Sequence, residues 1–279
     1  MTSRRHATVV PLAVIFASYA IARILEILPA SIPQTAIVAL DVLGALAFAL
    51  VDGARVYRLR GILVFAGICI VVGNIAENLS VVMGFPFGHY YFVNLMGPKL
   101  GHVPVLLGLA YIGMAYVSWR VAGAIVGPAG WGARGLEVPL VASAVMTSWD
   151  LAQDPVWATV LHGWVWRDGG AWFGVPVSNY LGWYGTVLVI YLLFALYLRR
   201  RGKVAGAHAA AGPALLFYAM CAAGNVMQVL PRHGHAVVAD PTGKLWQVAD
   251  ITHASALVSI FVMGGFAALG WVRQARRGL

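Results

Sequence analysis

Charge is what this sequence has least of. Of its 279 residues only 10% are Asp, Glu, Lys or Arg, whereas about a quarter of a soluble globular chain is charged. Hydrophobic residues make up 61% and the mean hydropathy is strongly positive, which excludes a water-soluble domain. Cysteine is scarce too. Cys69 and Cys221 both fall inside apolar runs, so they read as small packing residues, not as a disulfide or a metal knot, and say nothing of redox compartment. No apolar run contains a lysine, because Lys99, Lys203 and Lys244 all lie between runs; this excludes a retinal Schiff-base protein. The clustered H-x-x-H-H or H-x-x-x-H ligands of a membrane di-iron hydroxylase are also missing. His233-Gly-His235 comes nearest and reads as a solvated loop. Internal repeats, low-complexity tracts and a soluble domain are lacking, leaving a single transmembrane domain over 1–279. The start, MTSRRH and then apolar residues 8–28, has no small-residue cleavage site and is long enough to cross a bilayer.

What is present is apolar length. Runs of spanning size fall near 8–28, 35–52, 61–83, 103–126, 138–160, 180–198, 210–230 and 248–272, separated by Pro- and Gly-bearing breaks such as PASIP (29–33) and GPAGWGARG (127–135). The expected fold is all-α, a polytopic bundle of about eight transmembrane helices. With the N-terminus inside, the cytoplasmic side holds Arg4, Arg5, Arg55, Arg58, Arg60, Arg120, Arg134, Arg199, Arg200, Arg201, Lys203, Arg273, Arg276 and Arg277. Only Lys99, Arg167, Arg232 and Lys244 face outside, and Arg23 lies within the first span. This asymmetry follows the positive-inside rule, so both termini are expected in the cytoplasm and the protein in the cytoplasmic membrane as a multi-pass chain. The net charge of +9 is then topological and implies no nucleic-acid partner.

The few acids are placed at one depth. Glu77 comes sixteen residues after Gly61, about 24 Å along a helix and so past the midplane. Asp150 and Asp154 are equally late in their span, Asn225 and Gln228 late in theirs, and Asp41 and Asp250 early in spans entered from outside. Arg23 and Glu26, three apart, make a local ion pair. Asp41 and Asp250 are interfacial as readily as functional, Asp250 acting at a helix N-terminus. Ser143, Thr147, Asp150 and Asp154 share one helical face, and Asn74, Glu77 and Asn78 make a second. An ionised acid in hydrocarbon costs several kcal/mol, roughly, so acids there pair, protonate or serve a function. Pro155 cannot donate to the carbonyl of Leu151, so the helix is expected to kink or end and to offer a bare carbonyl to the same site.

Aromatic residues crowd the two longer outer loops, 84–104 and 162–183. An interfacial belt explains some of those rings, but a lining of Trp, Tyr and Phe faces beside an acid cluster suits a cation or a conjugated lipid. Six of the eight histidines fall on this side as well: His89, His102, His162, His233, His235 and His253.

In three of these stretches the chain resembles the membrane carotenoid 1,2-hydratases, the family of bisanhydrobacterioruberin hydratase and γ-carotene 1',2'-hydratase. They are NIAENLSVVMGFPFGHYYF (74–92), WDLAQDP (149–155) and WVWRDGGAWFGVPVSNYLGW (164–183). The family pattern G-x-P-F-G-x-Y-x-Y keeps Phe87 and Tyr90 here but ends on Phe92, and Asn179-Tyr180 stands where N-F or N-W follows the G-V-P turn. The resemblance implies hydration of the terminal isopropylidene double bond of an acyclic carotenoid to a tertiary alcohol, with a lipophilic carotenoid and water as partners, in contact with membrane lipid and other carotenoid-pathway enzymes.

Such a reaction needs a carboxylic acid that keeps its proton in an oily site, aromatic faces that stabilise a tertiary cation, and a carboxylate or amide that holds water. It demands no metal and no redox cofactor. Asp150 is assigned as the acid, sharing a proton with Asp154, and Asp154 or Glu77 as the group that orders water. Tyr90, Trp164, Trp166 and Trp172, with Phe87, are the expected cation and polyene contacts; Asn78 and Asn179 orient water or a carboxyl. Two rivals use buried acids differently. A proton-coupled transporter would call for inverted repeats or paired broken helices. A membrane prenyltransferase would use the Asp150-Leu-Ala-Gln-Asp154 spacing for magnesium diphosphate, but needs a second aspartate-rich motif and basic residues at that depth.

Overall fold

The computed structural model describes residues 2–28, 32–127, 135–201, 210–231 and 235–278. Arg134, Lys203, Arg232, His233 and most of the PASIP and GPAGWGARG breaks lie outside the described residues. The described residues are mostly helical, with seven helices among them: α1 Thr2–Leu25, α2 Gln34–Met83, α3 Val105–Val126, α4 Glu137–Pro155, α5 Val177–Arg200, α6 Gly212–Met227 and α7 Val248–Ala275. Six short strands lie between them in the described residues: β1 Tyr90–Phe92, β2 Lys99–Leu100, β3 Val103–Pro104, β4 Trp164–Trp166, β5 Val237–Ala239 and β6 Leu245–Gln247. Among the described residues α2, α3, α5 and α7 are long and apolar enough to cross a membrane, which makes this a membrane protein. Ser143, Thr147, Asp150, Gln153 and Asp154 dilute the apolar character of α4 along the face that carries the site.

Helix α2 is two arms. Arg58, at φ 60° and ψ 164°, breaks the helical backbone, and the chain reverses there. In a continuous helix Gly53 and Ile62 would stand about 13.5 Å apart along the axis. Instead a Cβ on Gly53 would lie 2.6 Å from Ile62 Cδ1, so glycine is what lets the arms close at the turn. The arms correspond to the second and third apolar runs of the sequence. Because they are antiparallel, Asp41 on the first and Glu77 on the second, each some seventeen to nineteen residues from Arg58, come to the same level.

Helix α3 runs through the centre: 72% of its most apolar window is buried, against 39% for α2 and 33% for α7. A helix apolar all round belongs in such a position. From the sequence Arg120 is expected among the loop cations, but it lies six residues before the end of α3 and is buried. Its Nη1 donates to Asp52 Oδ2 (2.6 Å) and its Nη2 to the Ala210 carbonyl (3.0 Å), while the Tyr116 hydroxyl also donates to Asp52 Oδ2 (2.7 Å). Arg277, likewise expected only to mark topology, donates to the carbonyls of Ala124 and Ile125 and so satisfies the free end of α3. These basic contacts lie at the end of the bundle where the α2 arms turn. The acids of interest lie at the other.

Candidate active site

Three segments converge at that other end: the second arm of α2 with Glu77, helix α4 with Asp150 and Asp154, and the start of α5 with Asn179. On α4 the two aspartates are one turn apart and therefore on one face. The regular helix ends at Pro155, as the sequence leads one to expect. The chain continues through a wide turn, Val156–Val160, closed by the Leu161 N–H donating to the Val156 carbonyl five residues back (2.9 Å). The Leu151 carbonyl is not bare, however, since the indole N–H of Trp172 donates to it (3.2 Å). Trp172 thus satisfies the acceptor that Pro155 leaves open.

The two aromatic loops close the site together. β1 pairs antiparallel with β4, Tyr90 opposite Trp166 and Phe92 opposite Trp164. Side chains alternate along a strand, so Tyr90 and Phe92 turn inward while Tyr91 is exposed beneath the Arg167 guanidinium. Ahead of β1 the Phe87 N–H donates to Ser80 Oγ (3.0 Å), and Ser178 Oγ donates to the Phe87 carbonyl (2.8 Å), tying the turn to α2 and α5. A Cβ at Gly182 would stand 2.7 Å from the Pro86 carbonyl oxygen, so glycine alone lets α5 come this close.

Glu77, Asp150 and Asp154 are 3%, 5% and 2% exposed and line one cavity. Asn179 Nδ2 donates to Asp150 Oδ2 (3.0 Å) and to Asp154 Oδ2 (2.6 Å), bridging the pair. Asp154 Oδ1 also accepts the Trp164 indole N–H (2.7 Å), with Trp166 at 3.5 Å. Glu77 accepts the hydroxyls of Tyr111 (2.6 Å) and Tyr90. Burial, and then the neighbouring Glu77, pushes the Tyr90 hydroxyl well above its usual range, so it stays a donor. Tyr111 stacks on Trp183 with ring centroids 4.6 Å apart and planes 9° from parallel. Apart from Asp41 and Gln153 the rest of the wall is apolar or aromatic.

Of the residues singled out in the sequence, Glu77, Phe87, Tyr90, Asp150, Asp154, Trp164, Trp166 and Asn179 line this cavity. Trp172 and Asn78 do not. Asn78 faces the other way: its amide N–H donates to the Asn74 carbonyl and its Oδ1 accepts the His102 N–H, which anchors the loop of β2 and β3. Arg23 forms the expected pair with Glu26 (3.0 Å) and also approaches Asp41 (3.7 Å), whose carboxylate borders the far side of the cavity. Asp250 is exposed in the first turn of α7, and none of His89, His102, His162, His235 or His253 lines the cavity. Among the described residues no three His, Cys, Asp or Glu converge as a metal-ligand set. The sequence reading missed Tyr111, Trp149, Gln153, Trp157 and Trp183. Tyr111 belongs to Glu77 from 34 residues away, and a polar-tipped ring early in an otherwise apolar span is the one signal that pointed to it.

A family model described as carotenoid biosynthesis protein matches residues 34–239, a stretch that contains every residue of the carboxylate cluster. Among curated proteins and among solved structures no match is found.

Proposed function

The chain belongs to the carotenoid biosynthesis protein family, and we propose that within it this protein hydrates the terminal isopropylidene double bond of an acyclic carotenoid. The observation that carries this reading is the Asp150–Asn179–Asp154 bridge at the wall of an aromatic cavity, with Glu77 in the same space. Asp154 accepts from Asn179 and from an indole N–H, enough to hold an ionised carboxylate. Asp150 accepts only the shared amide and is the one that carries the proton.

Asp150 delivers its proton to the less substituted olefin carbon. The π pair becomes the new C–H bond and leaves a tertiary cation, faced by the rings of Tyr90, Trp164 and Trp166. Water adds its lone pair to that carbon and passes a proton to Asp154 or Glu77, and from there back to Asp150. The net change is one water added, and the residues return to their starting state. A polyene about as long as a bilayer is thick would bring its tip to this depth when the eight helical segments cross the membrane, counting α2 as two. Both termini then lie in the cytoplasm, and the cluster lies near the opposite face of the cytoplasmic membrane.

Expression in a lycopene-producing host, with chromatography and mass spectrometry of the pigments, tests this. Wild type should yield a product heavier by one water. Asp150→Asn should lower that yield by about a hundredfold or more, the usual worth of a general acid, at an unchanged level of folded protein. Full activity in Asp150→Asn overturns the acid assignment, and untouched carotenoid with the wild type overturns the reaction.

A further inference from the structure

The reaction just proposed needs water at the carboxylates, and a polyene filling this largely aromatic and aliphatic cavity would displace the water that entered with it. A second, smaller cavity adjoins the first. Its lining is more polar: Arg23, Glu26, Gln34, Asn225 and Gln228 supply charged and amide groups near the outer end of α1, α2 and α6. Gln228 Nε2 donates to Glu26 Oε2 (3.0 Å) and Arg23 Nη2 donates to Asn225 Oδ1 (2.9 Å), so the polar wall is itself a bonded network able to host water.

Two residues border both cavities, Gln153 and Trp157. Gln153 lies on α4 between the two aspartates in sequence, three residues after Asp150 and next to Asp154. Its side chain hydrogen-bonds to no other described residue, although an amide carries both donors and an acceptor. Trp157 stacks on Trp164, with centroids 6.0 Å apart and planes 4° from parallel, and Trp164 holds Asp154.

We propose that the polar chamber supplies the water of the hydration reaction and that Gln153 passes it across to the carboxylates, a positioning role that rests on the reaction proposed above. An amide free on both sides accepts from water in the chamber and donates to water beside Asp154, while Trp157 closes the remaining opening to the polyene.

Cation formation and water capture separate in deuterium oxide. When capture is slowed, the cation loses a proton from the carbon just protonated or from a methyl group, and the recovered carotenoid gains deuterium. Membranes holding the full chain are therefore incubated with an acyclic carotenoid in deuterium oxide, and both the hydrated product and the label in recovered substrate are measured. For Gln153→Leu the hydrated product should fall about tenfold or more while exchange into substrate persists or rises; Gln153→Asn should recover part of the loss. Product within about twofold of wild type in Gln153→Leu overturns the proposal, and so does a parallel fall of product and exchange, the signature of a damaged site. Wild-type membranes that form no hydrated product would instead defeat the reaction itself.

Discussion

At the scale of single residues the site is a question of who donates to which carboxylate. Removing the Tyr111 hydroxyl leaves Glu77 with Tyr90 as its hydroxyl donor. Tyr111→Phe should therefore cost about 1–3 kcal/mol of stability, the usual price of an unmet buried charged acceptor, and slow hydration as well. Thermal unfolding in detergent checks it, and an unchanged midpoint would mean that Glu77 needs only one hydroxyl. The acids themselves were legible from the sequence, because burying carboxylates in hydrocarbon is costly enough to single out Glu77, Asp150 and Asp154 by position alone. Their partners were less so. Asn179 stood within a motif that also ends on Trp183, whereas Tyr111 meets the site only by stacking on Trp183 across α3 and α5, which no spacing along the chain encodes. Asn78 and Trp172 were legible as polar or aromatic, but the direction in which each points depends on the turn that follows it.

Among the elements, α4 and the strands decide how the site is held. Trp172→Phe keeps a ring in place but removes the donor to the Leu151 carbonyl. It should destabilise the wide turn after Pro155 by about 1–3 kcal/mol, seen as faster backbone exchange at Val156–Val160; wild-type protection there would show that another group takes over. The β5–β6 hairpin is pinned by Asp240. Partial burial would raise this carboxyl, but the side chains of Thr242 and Trp246 and the backbone N–H groups of Thr242 and Lys244 donate to it and hold it below the usual range. A group depressed in the folded state stabilises above its ordinary range and loses that contribution as pH falls through the folded value. Hairpin stability, followed by Trp246 fluorescence, should accordingly decline below about pH 4, and Asp240→Asn should be less stable at neutral pH but flat across that window. A decline of equal size in the variant would assign the acid effect elsewhere. Each apolar run in the sequence corresponds to a helical segment. The wide turn after Pro155 was signalled by the proline, but the reversal at Arg58, where an arginine takes a backbone that favours glycine, carries no comparable signal, because tertiary packing fixes it.

For the whole molecule, the division of labour lies along the bundle axis. One end carries Asp52, Arg120 and Arg277 in structural contacts, and the other carries acids, amides and indoles around an apolar space. Composition announced a membrane protein, and of the basic residues expected to mark topology Arg120 serves a buried ion pair and Arg277 a helix end. The central claim is that side-chain acids in this space protonate an olefin and solvent water captures the cation. Isotopes test it most directly: wild-type membranes are given an acyclic carotenoid in heavy-oxygen water and, separately, in deuterium oxide. Acid protonation followed by capture should give a tertiary alcohol whose oxygen comes from the solvent and whose adjacent carbon carries solvent deuterium. An alcohol with unlabelled oxygen, or one without deuterium beside it, would contradict it.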